Sequence, residues 1–126
     1  MHHTKNTPPL SLKTPLVALK KISPPNGAVI YAKLECLNFT GSTKIRPALA
    51  MICDAQEKGL LASDSVIIEA SSGNGGIAAA AVAAAKGYPS LIVMPENVSR
   101  ERQQIIKAYG GDIVLTPSAK RTGGGH

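Results

Sequence analysis

Lys44 is the first residue of this sequence whose type and place could do chemistry. It closes the stretch Asn38-Phe39-Thr40-Gly41-Ser42-Thr43-Lys44, which reads as a loop running into a helix. A lysine at a helix mouth sits against the positive end of that helix. The field favours the neutral amine, the form needed to build an imine with an aldehyde. The plainer reading is an exposed lysine reaching into water. A second candidate is Ser71-Ser72-Gly73-Asn74-Gly75-Gly76, again leading into a helix. Its glycines permit close backbone approach to a ligand, and its N–H groups with the helix start form an anion site. Ser71, Ser72 and Asn74 add short polar groups. The plainer reading here is a flexible turn. A third pattern overlaps the second: Gly73-x-Gly75-x-x-Ala78 fits a dinucleotide fingerprint, with Glu96 after the next strand, where a ribose ligand belongs. Its placement is poor, because Ala70, Ser71 and Ser72 separate the strand end from the first glycine. A small nucleotide-binding Rossmann-like module stays open as an alternative.

Other chemistries are excluded. His2, His3 and His126 are the only histidines, so no His-based triad or His metal cage can form in the body of the chain. Cys36 and Cys53 make neither a disulfide framework nor a zinc site, which fits a reducing cytoplasm. The longest apolar run, 77–85, is far short of the roughly 20 residues that span a membrane. The first residues, MHHTKNTPPLSLK, carry no apolar signal core, and no secretion is expected. The net charge is +6, but the charges are scattered, aromatics are 3% and Trp is absent. That argues against nucleic acid and for attraction of small anions, phosphates or carboxylates. With 44% hydrophobic and 17% charged residues, the chain is a folded domain or part of one.

The elements that must carry these loops follow from periodicity. Residues 1–13 read as a loose polar arm. The turn signal Pro24-Pro25-Asn26-Gly27 precedes a strand at 28–35 (AVIYAKLE). Ser42 is placed to cap a helix whose stripe is Ala48, Leu49, Ile52 and Ala55, ended by Gly59. A strand at 65–69, an alanine-rich helix at 76–86 closed by Gly87, and a strand at 90–94 stopped by Pro95 come next. Ser99 is placed to cap a helix with the stripe Arg102, Ile105, Ile106 and Tyr109, and a last strand covers 112–115. Strands apolar throughout, alternating with helices, predict a parallel sheet of about four strands with helices on both faces. The domain covers 14–117, and 118–126 is a polar, structureless tail. The last strand and the alanine-rich helix are expected to offer apolar surface to elements outside these residues.

Taken together, TPLVAL (14–19), AKLE (32–35), Gly41-Ser42-x-Lys44-x-Arg46, IEASSGNGGIA (68–78) and MPENVSRERQQIIKAYGGDIVLTP (94–117) resemble the cysteine synthase and cystathionine β-synthase family. These are fold-type II enzymes dependent on pyridoxal phosphate. The resemblance implies an α/β fold with a three-layer αβα parallel sheet, tryptophan synthase β-like, of which these residues are the incomplete N-terminal portion. It implies that Lys44 holds pyridoxal 5'-phosphate and is the catalytic lysine. Asn74 would bond the ring hydroxyl oxygen of the cofactor, and the loop of Ser71, Ser72 and Gly75 would clasp the substrate carboxylate. The reaction implied is β-replacement on an activated serine, of the O-acetylserine type, with sulfide or another thiol to form cysteine. That is transferase and lyase chemistry of cysteine biosynthesis in the cytoplasm, and the full-length family is expected to form homodimers.

The sequence departs from the family pattern in places. Ile45 stands where the family has aspartate, and Gly75 where its asparagine loop has a second threonine. The family's cofactor-phosphate loop and the serine facing the pyridine nitrogen belong to a second half not among these residues. The 126-residue chain alone is therefore expected to be inactive, and a non-catalytic remnant is a further alternative.

Overall fold

The computed structural model describes residues 10–118. The elements run β1 (Leu16–Ala18), β2 (Tyr31–Lys33), a single 3-10 turn (Glu35–Leu37), α1 (Ile45–Glu57), β3 (Ile67–Ala70), α2 (Asn74–Lys86), β4 (Ser90–Pro95), α3 (Arg100–Ala108) and β5 (Asp112–Thr116). The parallel sheet has the order β3-β4-β5, with Ile67 opposite Ser90 and Leu91 opposite Asp112. β4 is the central strand. It is β-branched and apolar because both of its edges are paired and one of its faces is buried.

The expected fourth parallel strand at 28–35 is a correction. Only Tyr31–Lys33 is a strand, and it pairs antiparallel with β1, Leu16 opposite Lys33. The Pro-Pro-Asn-Gly turn sends the chain straight back, so Leu19 N–H meets the Ile30 carbonyl at 2.8 Å and Leu34 N–H the Pro15 carbonyl at 3.0 Å. A local return closes a short loop, which costs less entropy than carrying the segment across to the main sheet. The expected loose arm at 1–13 is also tied down within the described residues: Leu10 is buried in the core beside Ile45 and Ile52. The rest of that arm, and the tail beyond Ser118, lie outside the described residues.

α2 is the centre of the molecule. Every residue from Gly76 to Ala83 is buried. A helix apolar all round needs cover on every side. α1 supplies it with Ile45, Ala48 and Ile52 against Ala78, Ala81 and Val82. The sheet and α3 supply it with Ile92, Met94 and Ile106 against Ile77 and Ala80. Small residues allow this close approach: a Cβ at Gly76 would come within 2.7 Å of Ile92 Cγ2. The expectation that the alanine-rich helix offers free apolar surface is thus corrected. The free surface lies on the sheet instead. Strand order β3-β4-β5 steps in one direction, and crossovers of one hand stepping one way deliver both α2 and α3 to the same face. On the other face Ile68 is 65% and Val114 45% exposed. The second helical layer implied by the resemblance is not among the described residues.

Two capping expectations are adjusted. α1 starts at Ile45 with Lys44 in the N-cap position, and Ser42 accepts only the Lys44 N–H, at 3.2 Å. Ser42 sits two residues too early to cap. Ser99 does occupy the N-cap of α3 but makes no side-chain cap bond to the backbone. Its hydroxyl turns to Glu101, whose carboxyl is lowered from its ordinary value first by its own backbone N–H and then by Ser99. No helix among the described residues is long and apolar enough to cross a membrane.

Candidate active site

The N-terminal half of α1 and the loop from β3 to α2 face one another across a cavity of about 650 Å³. Ala48, Met51, Ile52, Leu61 and Ile67 give it an apolar lining. Its polar lining is Lys44, Glu69, Ser71, Ser72 and Asn74, with the backbone of Gly73 and Gly75. All five residues that the resemblance assigns to the site, namely Lys44, Ser71, Ser72, Asn74 and Gly75, therefore line one space. They come together although 27 residues separate Lys44 from Ser71 (71 − 44).

Lys44 is exposed and leads α1, and its carbonyl accepts the Ala48 N–H at 3.2 Å, the first turn of the helix. The loop before it turns at Gly41, whose φ of +70° lies in the left-handed region that glycine tolerates. Phe39, earlier in that loop, packs against Tyr109 at the end of α3 in a tilted pair, with ring centroids 6.1 Å apart.

Across the cavity, Ser71 N–H donates to the Val93 carbonyl at 3.0 Å, extending the pairing of β3 with β4 by one residue. The Ser71 hydroxyl accepts the Gly73 N–H at 3.3 Å, and α2 begins at Asn74. The first N–H groups of a helix have no partner within it, so the start of α2 presents donors with a positive end to the cavity. Gly75 has a packing reason. A Cβ there would lie 2.8 Å from Ser71 Oγ and 3.4 Å from Glu69 Oε1. The Ser71 hydroxyl thus occupies the room that a side chain at position 75 would take.

Sequence reasoning missed two residues here. Glu69, read only as the end of a strand, is the one carboxylate among the lining residues. Its signal was its position as the last polar residue before the loop. Arg102, read as part of the helix stripe, donates from Nη1 to the Ser72 carbonyl at 3.3 Å and props the loop from α3. Of that stripe only Ile106 is buried, while Ile105 is 42% exposed. Glu96, the acidic residue of the dinucleotide pattern, does not line the cavity, and its carboxylate accepts the Ser118 N–H and hydroxyl at 3.3 Å.

The donor set suits pyridoxal phosphate. An amine able to form an imine, an amide able to bond a phenolic oxygen, and a helix start able to hold a carboxylate all face one cavity, and the backbone at Gly73 is bare enough for close approach. An α/β fold with this donor set is suited to an aldehyde cofactor held through an amine. The chain belongs to the family described as pyridoxal-phosphate dependent enzyme, whose model matches residues 9–125. It is 49% identical over 119 residues to the probable cysteine synthase of Bacillus subtilis (strain 168), covering 94% of this chain and 38% of that protein. Among solved structures, O-ureido-L-serine synthase superposes with a TM-score of 0.78 at 46% identity, over 89% of this chain and 35% of the other. The O-acetylserine dependent cystathionine β-synthase of Helicobacter pylori gives 0.78 at 38% identity, over 86% and 36%. The chain thus spans between a third and two-fifths of the length of these relatives.

Proposed function

We propose that this chain is the lysine-bearing portion of a cysteine synthase-like enzyme. Its reaction is β-replacement on an activated serine of the O-acetylserine type: the Cβ–O bond breaks, acetate leaves, and sulfide or another thiol forms the new C–S bond of cysteine. The observation that carries this reading is the convergence of Lys44, Ser71, Ser72, Asn74 and Gly75 on one cavity. The names of the relatives agree with it.

Lys44 would hold the cofactor through its Nζ, and Asn74 would bond the ring hydroxyl oxygen. Bound pyridoxal phosphate supplies the electron sink for bond cleavage at Cα. Ser71 and Ser72, with the N–H groups at the start of α2, orient an amino acid by its carboxylate. Lys44 Nζ, the only amine among the lining residues, is then the base that takes the α-proton. No histidine is required. The complete enzyme is proposed to be a homodimer of a reducing cytoplasm, where the free thiols of Cys36 and Cys53 persist.

The test is to mix the protein with excess pyridoxal phosphate, reduce with borohydride, and map the modified lysines by mass spectrometry. Lys44 is expected to carry the label preferentially, and Lys44→Ala to lose it. Joining the second half of a relative should raise affinity, because it restores phosphate contacts worth roughly 1.5–3 kcal/mol each. The joined protein should form cysteine from O-acetylserine and sulfide. Label spread evenly over Lys33, Lys58, Lys86 and Lys107, even in the joined protein, would make Lys44 an ordinary surface lysine.

A further inference from the structure

A polar cluster stands directly behind Lys44 without lining the cavity. Glu35 receives Arg46 in a two-pronged pair, Nε to Oε2 at 2.9 Å and Nη2 to Oε1 at 2.8 Å. The Thr14 hydroxyl donates to the same carboxylate at 2.7 Å, and so does Asn38 Nδ2. The guanidinium also donates to Ser11 Oγ at 3.0 Å and to the Leu12 carbonyl at 2.9 Å. Asn38 is buried and continues the chain of bonds. Its Oδ1 accepts the Leu12 N–H at 3.0 Å, and its carbonyl accepts the Gly41 N–H at 2.8 Å. At the other end the Arg46 N–H donates to the Thr43 carbonyl at 3.0 Å. One carboxylate therefore fixes both ends of the segment 38–46, and Lys44 lies between those ends.

An ordinary surface ion pair contributes little. This one differs in geometry and cover. The Glu35 side chain is 15% exposed, the pair is bidentate, and two further donors complete the carboxylate. Neither Glu35 nor Arg46 lines the cavity. Whatever they do for the reaction they do through the backbone that carries Lys44.

We propose that Glu35 and Arg46 are positioning residues: their ion pair clamps the segment 38–46 so that the Lys44 amine is held at the cavity, facing the Ser71–Gly75 loop. This rests on the reading of Lys44 as the cofactor-holding lysine. A lysine on an unclamped loop would share its time among many positions and lose its preference over other lysines.

Two measurements on the same protein test it: hydrogen exchange by mass spectrometry without cofactor, and the reductive labelling map with pyridoxal phosphate. In Glu35→Gln, exchange over 41–44 should quicken by about tenfold, the factor that a charge-assisted hydrogen bond readily accounts for. Exchange over 74–86 should stay as it was. The share of label on Lys44 relative to Lys58 and Lys86 should fall by a similar factor. Thr14→Val, which removes one donor to the carboxylate, should shift both readouts the same way by less, and it decides the matter if Glu35→Gln loses protection throughout. Unchanged exchange over 41–44 overturns the clamp. Faster exchange with an unchanged Lys44 share overturns the positioning role and leaves the function intact. A wild-type protein without any Lys44 preference overturns the reading of Lys44 itself, and the proposal with it.

Discussion

Glu35 is the most strongly shifted carboxyl in the described chain. Arg46, then Thr14, hold its pKa down from 4.5 to about 2. A carboxyl whose pKa is lower folded than unfolded stabilises the fold fully above the unfolded value, and that stability drains away as pH falls through the folded one. The protein should therefore lose stability progressively from about pH 4.5 down to about pH 2, and Glu35→Gln should flatten that part of the curve. Urea midpoints measured at closely spaced pH values would show it, and parallel curves for the two proteins would refute it. A second prediction concerns Gly75. Gly75→Ala should cost about 1 kcal/mol by crowding the Ser71 hydroxyl, and nearly nothing in a Ser71→Ala background. Equal costs in both backgrounds would mean that the two positions do not compete for space. That Lys44, Ser71, Ser72 and Asn74 belong together at one cavity was legible in the sequence because each lies in a short contiguous run of distinctive types. The Glu35–Arg46 pair was not, because its partners come from three segments, Ser11–Thr14, Glu35–Asn38 and Arg46, that only the folded chain brings together.

Helices and parallel strands were read well where periodicity and glycine stops agreed, as at Gly59 and Gly87. The strand at 28–35 was misplaced because a run of apolar residues tells strand from loop but not which strand it will pair with. In α3 the residues Ile105 and Ile106 look equivalent in sequence, yet only Ile106 meets α2 and β4. Ile106→Ala should thus cost about 2–5 kcal/mol and Ile105→Ala less than about 0.5 kcal/mol. Chemical denaturation of the two variants checks the rotation of the helix, and similar costs would show it to be wrong. Gly76→Ala tests the α2–β4 contact in the same way. Alanine gains about 1 kcal/mol of helix propensity, but overpacking against Ile92 costs about 1–3 kcal/mol, so the variant should melt lower.

The whole described unit carries an apolar sheet face without helical cover, and β3 and β5 leave two open sheet edges. Open edges and apolar patches associate, so the 126-residue protein should self-associate with rising concentration despite its charge of +6. Sedimentation should show this, and Ile68→Lys, on the bare face, should reduce it; a wild-type protein that stays monodisperse at high concentration would count against a free face. The missing cover was hinted at by a pattern of buried strands, but the face that each helix would take depended on strand order, which the sequence does not spell out. That same strand order has a consequence in time. Each parallel pair joins strands that follow one another in the chain, with one helix between them. The mean sequence separation across the sheet is accordingly short for a parallel architecture, and loop closure is less of an obstacle. As the chain leaves the ribosome, β3, α2 and β4 can dock before β5 exists, and the lysine segment ahead of them already has a surface to settle on.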